Sequence, residues 1–332
     1  MSDKPVTPER IMQFWFSFAP PLMLEAAIRH RFFDTLDAAP KSAEQVAQAT
    51  GASLRGTRML LDALVGIELL AKKDGKYALT PESAAFLVST KPGFRGAMFR
   101  HISGHVVPDW LKLSDAVKSG KPALSVNQES TGGEFFREFV EDLFANNYGA
   151  ARTLAEALPL GGGKRVLDIA AGSGVWSIAL AEKHRDLHVT VVDWPAVIPV
   201  CQRVAARHGV GDRYRYIPGD LLTVDYGAGY HAVTLGHILH SEGEKRSRAL
   251  LRKVFAALAP GGTVVIAEMV PNEDRTGPPF ALFFALNMLI HTDTGDTFTF
   301  AEMKAWLEET GFTKVRPLEV PGPAPLILAD KP

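Results

Sequence analysis

The sequence predicts an α/β protein: a mostly parallel sheet whose last strand is antiparallel, preceded by a helical domain with a winged-helix pattern. Three observations carry this. From Gly161 onward, apolar runs of strand length alternate with segments of helical period, the pattern of a parallel sheet covered by helices on both faces. Lys164 to Ala179, KRVLDIAAGSGVWSIA, reads as strand, small-residue turn and helix. Residues 42–90 read as helix, turn, helix and hairpin.

The composition sets wide bounds. With 332 residues there is length for two domains and a large core. A net charge of -1 offers no general attraction to nucleic acid or anionic membrane. The single cysteine, Cys201, excludes an intrachain disulfide and a thiolate metal cluster, and suits a reducing cytoplasm. MSDKPVTPER lacks signal-peptide order, and the apolar runs Ile11–Phe18 and Pro279–Ile290 are too short to span a bilayer. Both are expected to be buried helices.

Residues 1–95 are read as the helical domain, 96–160 as a helical connector carrying pocket helices, and 161–332 as the sheet domain. Residues 8–39 read as two helices broken at Ala19-Pro20-Pro21. The first, IMQFWFSF, is apolar on nearly every face and needs cover on all sides. A second subunit is the natural cover, giving a homodimer; packing on its own chain is the alternative. Ser42 caps a helix over Ala43–Ala49, and Ser53 caps another to about Ile67, with Met59, Leu60, Ala63 and Leu64 as its stripe. Lys72 to Lys76 form a hairpin turn, Tyr77–Leu79 return, and Thr80-Pro81 start a helix to about Val88. This winged-helix pattern raises DNA binding, but the unit balances five Lys/Arg against five Asp/Glu. A DNA reader needs a positive face, so a scaffold or dimerisation role is preferred. Residues 94–158 read as helices with breaks at Gly104, Pro108, Gly120–Pro122 and Gly132-Gly133. The aromatic stretch Phe135–Phe144 either covers a pocket or is plain core.

Strands are expected at 165–169, 188–192, 214–217, 230–236, 263–269, 313–318 and 325–329. Helices are expected near 175–184, 195–208, 244–258 and 299–310. Gly161-Gly162-Gly163-Lys164 follows no strand and has no Ser/Thr after the lysine, so it fails the phosphate-loop pattern. Val320-Pro321-Gly322-Pro323 is too short for a crossover, so the last two strands should be antiparallel at a sheet edge.

An open α/β sheet binds ligands at the carboxyl ends of its strands. Those ends bring together Asp168 and the Ala170–Gly174 turn, Asp193-Trp194, Asp220-Leu221, Gly236-His237 through His240, and Glu268. Gly172 and Gly174 let a backbone approach a nucleotide-like ligand closely. Asp193, 19 residues beyond Gly174, stands where an acid accepts ribose hydroxyls. Asp220 can accept from an adenine amino group, with Leu221 against the ring. Ser177 occupies the position where a dinucleotide fingerprint wants its third glycine. His237-x-x-His240 and His291-x-Asp293 have ligand-like spacing, but i and i+3 at a strand end face opposite ways, so no metal site is expected.

VLDIAAGSG, VVDWPAVI, GDLL, LGHILH and Leu258-Ala259-Pro260-Gly261-Gly262, in that order and spacing, resemble the S-adenosylmethionine-dependent O-methyltransferases of the caffeate and hydroxyindole type. The resemblance covers residues from about 8 to 330. It implies a helical dimerisation domain and a Rossmann-like methyltransferase domain that binds S-adenosyl-L-methionine through Ala170, Gly172, Asp193, Asp220 and Leu221. It places His240 on the general base and Glu268 on a flanking acid, with Asp296 or Thr297 at the second acid's position. The chain departs from the family where two of three turn glycines are Ala170 and Ala171, where His-Asp-Trp is His240-Ser241-Glu242, and where a frequent lysine is Gly236.

The implied reaction is methyl transfer to a hydroxyl of a small aromatic or polyketide-like acceptor. Its pocket is expected from residues 99–110, 139–148 and 283–294, through His105, Phe144, Asn147, Tyr148, Phe284, Asn287, Met288 and His291, with Asp293 nearby. Relatives that keep the cofactor for decarboxylation, hydroxylation or pericyclic steps offer an alternative. A DNA-binding regulator sensing a nucleotide-like ligand is another.

Overall fold

The computed structural model describes residues 6–332. The chain divides into two units, Met1–Pro108 and Asp109–Pro332. The division falls at Pro108, within the stretch 96–160 read as a helical connector.

In the first unit, Ser42 caps the helix Ala43–Thr50, its hydroxyl accepting the Gln45 N–H while the Gln45 amide oxygen accepts the Ser42 N–H. Ser53 caps Leu54–Gly66. The buried stripe of that helix is Thr57, Leu61 and Leu64; Met59 points outward, so the expected stripe is rotated. The strands β1 (Leu70–Lys73) and β2 (Lys76–Leu79) pair through Asp74 and Gly75, both left-handed as a two-residue hairpin turn requires.

The expected first helix is not continuous. Only Glu9–Met12 is α-helical, and tight turns carry the chain on to Ala19. Ile11, Phe14, Trp15, Phe16 and Phe18 are 57–72% exposed, so the described residues leave them largely uncovered. Pro20 and Pro21 open the helix Ala19–Arg29 instead of breaking one, because the first turn of a helix needs no N–H partners. Gly104 also causes no break: it lies in a π-helical stretch, Ile102–Val106, between Met98–His101 and Val107–Trp110, and Pro108 sits in the first turn of the last.

The second unit holds β3 (Arg165–Ile169), β4 (His188–Asp193), β5 (Tyr214–Pro218), β6 (Tyr230–Gly236), β7 (Leu258–Ala267), β8 (Thr313–Leu318) and β9 (Leu326–Asp330). Their order is β5-β4-β3-β6-β7-β9-β8. All pairs from β5 to β7 are parallel, and β9 runs antiparallel to both neighbours. β9 lies inside β8, so β8 forms the margin. β7 begins at Leu258, five residues before the expected start at 263. Strand order reverses at β3, which opens a crevice at its carboxyl end.

The pleat sorts each strand onto two cores. Val166, Val191, Ala232 and Val265 pack with Ile178 and Leu154 on one face. Leu167, Val192, Val233 and Val264 pack with Leu250, Val254, Met303 and Leu307 on the other. Glu129–Phe139 is an unbroken helix through the expected break at Gly132-Gly133, and both glycines are buried. A side chain at Gly132 would meet the Trp194 indole at 2.4 Å, so the glycine lets this helix approach the sheet. No helix among the described residues is long and apolar enough to cross a membrane.

Candidate active site

The turn after β3 is built from left-handed residues. Ala170, Gly172 and Gly174 have φ of 52°, 56° and 77°. For an alanine this conformation costs about 1–2 kcal/mol; here the Ala170 N–H is anchored 2.8 Å from the Val192 carbonyl. The Asp193 carboxylate then closes the turn, accepting the Gly172 N–H at 2.8 Å and the Trp194 N–H at 2.7 Å. Burial pushes its carboxyl up to about 6, even against these two donors.

Two expected site residues lie beneath the turn and not in the crevice. Asp168 is fully buried, accepting the Ser177 hydroxyl at 2.5 Å and the Thr234 hydroxyl at 2.6 Å. The pleat directs its side chain at the Val175–Lys183 helix, so it braces the helix to the sheet. Gly174 also faces inward: a side chain there would meet Cys201 Sγ at 2.7 Å.

The other eight expected cofactor residues, Ala170, Gly172, Asp193, Trp194, Asp220, Leu221, Gly236 and His237, line one cavity. It holds roughly 960 Å³ including its open mouth. Phe136, Val140, Leu143 and Asn147 form its opposite wall, one stripe along consecutive helices. Gly236 is explained by Trp176, unmarked in the sequence reading: a Cβ at 236 would lie 2.2 Å from the indole Nε1. The indole fills the volume that a side chain on β6 would need.

His237 ends β6 with φ of 60°, and this turn brings its ring to the same cavity as His240, with centroids 6.5 Å apart. The expectation that they face opposite ways fails there. Burial holds the His237 imidazole down to about 4, so it is neutral. Its Nε2 lies 3.2 Å from Asn147 Oδ1.

The helix Leu239–Ala257 starts five residues earlier than expected and kinks at Gly243 (φ 70°, ψ 169°). Its first turn thereby presents His240 and Glu242 to the cavity. His240 Nδ1 sits 2.7 Å from Glu268 Oε2, and Glu268 Oε1 accepts the Leu239 N–H at 2.7 Å. Burial alone would raise the Glu268 carboxyl, but the His240 ring and the surrounding N–H groups outweigh it and hold it below its ordinary range. An ionised carboxylate only accepts, so Nδ1 carries a proton and donates it to Glu268. Phe284 stands edge-on to the ring, centroids 4.9 Å apart.

Asp296 is not part of this arrangement. Its carboxylate accepts the Thr297 N–H and lies 3.8 Å from Arg275, while its own N–H holds the His240 carbonyl at 2.9 Å. Asp296 therefore supports His240 through the backbone only. Glu242, read in the sequence only as a departure from His-Asp-Trp, also lines the cavity, buried and bound by Arg246.

Of the expected acceptor residues, Asn147 faces the cavity and Phe284 contacts the His240 ring. Phe144 and Tyr148 lie on another side of their helix, near His208, with the Tyr148 hydroxyl on Glu182. Asn287 accepts the Trp110 indole N–H at 3.0 Å, Met288 is buried, and His291 is held by Asp109 at 3.2 Å. Asp293 bonds Ser125. His105 belongs to the first unit, its ring 5.3 Å from His101.

A doubly wound sheet with acids around a crevice at its switch point defines a class: proteins that hold a nucleoside-bearing cofactor there. Here a buried histidine, paired behind by the Glu268 carboxylate, lines the same cavity. The O-methyltransferase domain model matches residues 110–313, and the O-methyltransferase dimerisation domain model matches residues 12–89. The chain belongs to the O-methyltransferase family, an S-adenosyl-L-methionine-dependent family. It is 32% identical over 304 residues to 3-hydroxy-5-methyl-1-naphthoate 3-O-methyltransferase of Streptomyces sahachiroi, covering 90% of this chain and 88% of the relative. It is 30% identical over 330 residues to the tetracenomycin polyketide synthesis 8-O-methyl transferase TcmO of Streptomyces glaucescens, covering 98% and 97%. The solved structure of PigF with S-adenosylhomocysteine superposes with a TM-score of 0.85 at 26% identity, covering 99% of this chain and 100% of that one.

Proposed function

We propose that this enzyme methylates a hydroxyl of a small aromatic or polyketide-like acceptor, with His240 Nε2 as the general base. The observation that carries this reading is the His240–Glu268 pair. Glu268 orients the ring and stabilises the imidazolium that forms as the hydroxyl proton is taken up. S-adenosyl-L-methionine supplies a methyl already made electrophilic by its sulfonium. The residues present fit it: the turn offers backbone without bulk, Asp193 would accept from ribose hydroxyls, Asp220 would accept from the base and Leu221 would offer an apolar side to its ring. The named activities of the two Streptomyces relatives support an aromatic acceptor.

The test is incubation with S-adenosyl-L-methionine and a panel of phenols and polyketides, reading S-adenosylhomocysteine by mass spectrometry. Release that depends on one or more phenolic acceptors is expected; no release with any of them contradicts the reading.

We also propose a homodimer formed through the first unit. The exposed Phe14, Trp15, Phe16 and Phe18, within the matched dimerisation domain, support it. Light scattering should give twice 36.1 kDa, and Trp15→Glu should shift the protein toward monomer. The buried single cysteine fits a cytoplasmic setting, and the balanced charge of residues 42–90 fits an absence of nucleic-acid partners.

A further inference from the structure

We propose that Arg246 is a positioning residue for the cofactor's base, holding Asp220 and Glu242 together as one acceptor edge. This rests on the reading that the cavity takes S-adenosyl-L-methionine. Arg246 Nε lies 2.6 Å from Glu242 Oε2, and its Nη2 lies 3.1 Å from Asp220 Oδ2. The other Asp220 oxygen accepts the Leu222 N–H at 2.8 Å. Asp220 comes from the loop after β5 and Glu242 from the first turn after β6, and both line the cavity. The guanidinium thus ties the two sides of the crevice through their acids.

The tie has a chemical consequence. Two carboxylates facing one partly buried space, with no cation between them, come to share a proton. A shared proton makes the edge both donor and acceptor. Burial raises the Glu242 carboxyl, and the guanidinium bonded to it opposes that rise, favouring an edge that accepts. Lys253 also attracts Asp220 electrostatically, but its ammonium hydrogen bonds go to the carbonyls of Leu221 and Val224 and not to either acid. An edge that only accepts suits the exocyclic amino group of adenine. It repels the 6-oxo oxygen of hypoxanthine, which brings lone pairs to the same place. Arg246 therefore sets base selectivity without touching the reacting atoms.

The kink at Gly243 is what makes the bridge possible. Glu242 and Arg246 are four residues apart, the spacing of an ordinary helical pair, yet the non-helical Gly243 between them turns Glu242 inward. A side chain at 243 would meet the Thr294 carbonyl at 2.4 Å, so the kink is held by close packing.

The test is calorimetric titration of wild type, Arg246→Lys, Arg246→Met and Glu242→Gln with S-adenosylhomocysteine and with its 6-oxo counterpart, S-inosylhomocysteine. Wild type should prefer the adenine compound by about tenfold or more. Arg246→Met should bind S-adenosylhomocysteine about tenfold more weakly and lose most of that preference, and Glu242→Gln should lose part of it. Arg246→Lys should keep much of both, with all four proteins unfolding cooperatively. Equal weakening of both compounds in Arg246→Met, preference intact, would show a purely structural tie and overturn the proposal. Unchanged affinities would overturn it too. If wild type binds neither compound, the cofactor reading itself fails.

Discussion

His240 Nδ1 and Glu268 Oε2 are 2.7 Å apart, and the second Glu268 oxygen caps the helix that carries His240. One buried carboxylate thus fixes the position of the ring and its tautomer together. It also links the site to stability. The Glu268 pKa is lowered from 4.5 in the folded protein. Its stabilising contribution is therefore complete above pH 4.5 and is lost as the pH falls through the folded value. Glu268→Gln should flatten the acid limb of a pH-dependent urea unfolding series. A variant limb as steep as wild type would remove this coupling.

Asp168 has the opposite sign. Burial raises its carboxyl from 3.8 to about 6. The folded state then binds more protons between those values, so this group lowers stability as pH rises from 3.8 to about 6, by about 3 kcal/mol in all. Asp168→Asn can still face the Ser177 and Thr234 hydroxyls and should lack that decline. Asp168→Ala should lose about 1–3 kcal/mol from the orphaned hydroxyls. Unfolding free energies at pH 4, 6 and 8 separate the cases, and a wild type whose stability did not fall relative to Asp168→Asn would refute the assignment.

Gly236 and Trp176 should be coupled. Gly236→Ala places a methyl 2.2 Å from the indole nitrogen, so the indole must move toward the cavity. Affinity for S-adenosylhomocysteine should fall about tenfold, as expected for overpacking worth 1–3 kcal/mol. Adding Trp176→Phe should recover part of the loss. A double-mutant cycle with strictly additive effects would show that the two residues do not compete for that space.

The sheet was legible because apolar runs of period two alternate with helical stripes, and looking at strand carboxyl ends picked out eight residues that line one cavity. Asp168 shows the limit of that rule: lying within β3, it follows the pleat into the core. Phe144 and Tyr148 lie away from that cavity for a related reason. Their helix has apolar residues on two faces, and only the tertiary fold shows that the Asn147 side meets the cavity. Glu242 and Arg246 depend on a kink at Gly243, which no periodicity signals. Asp296 lies in a loop, where its carboxylate pairs outward with Arg275 while its backbone holds His240.

The most direct test of the central claim is turnover of His240→Ala with a competent phenolic acceptor, measured beside its affinity for S-adenosylhomocysteine. Loss of a general base should lower kcat by about 10²–10⁴-fold while leaving the nucleoside affinity within about threefold. Turnover equal to wild type in that variant would contradict the account.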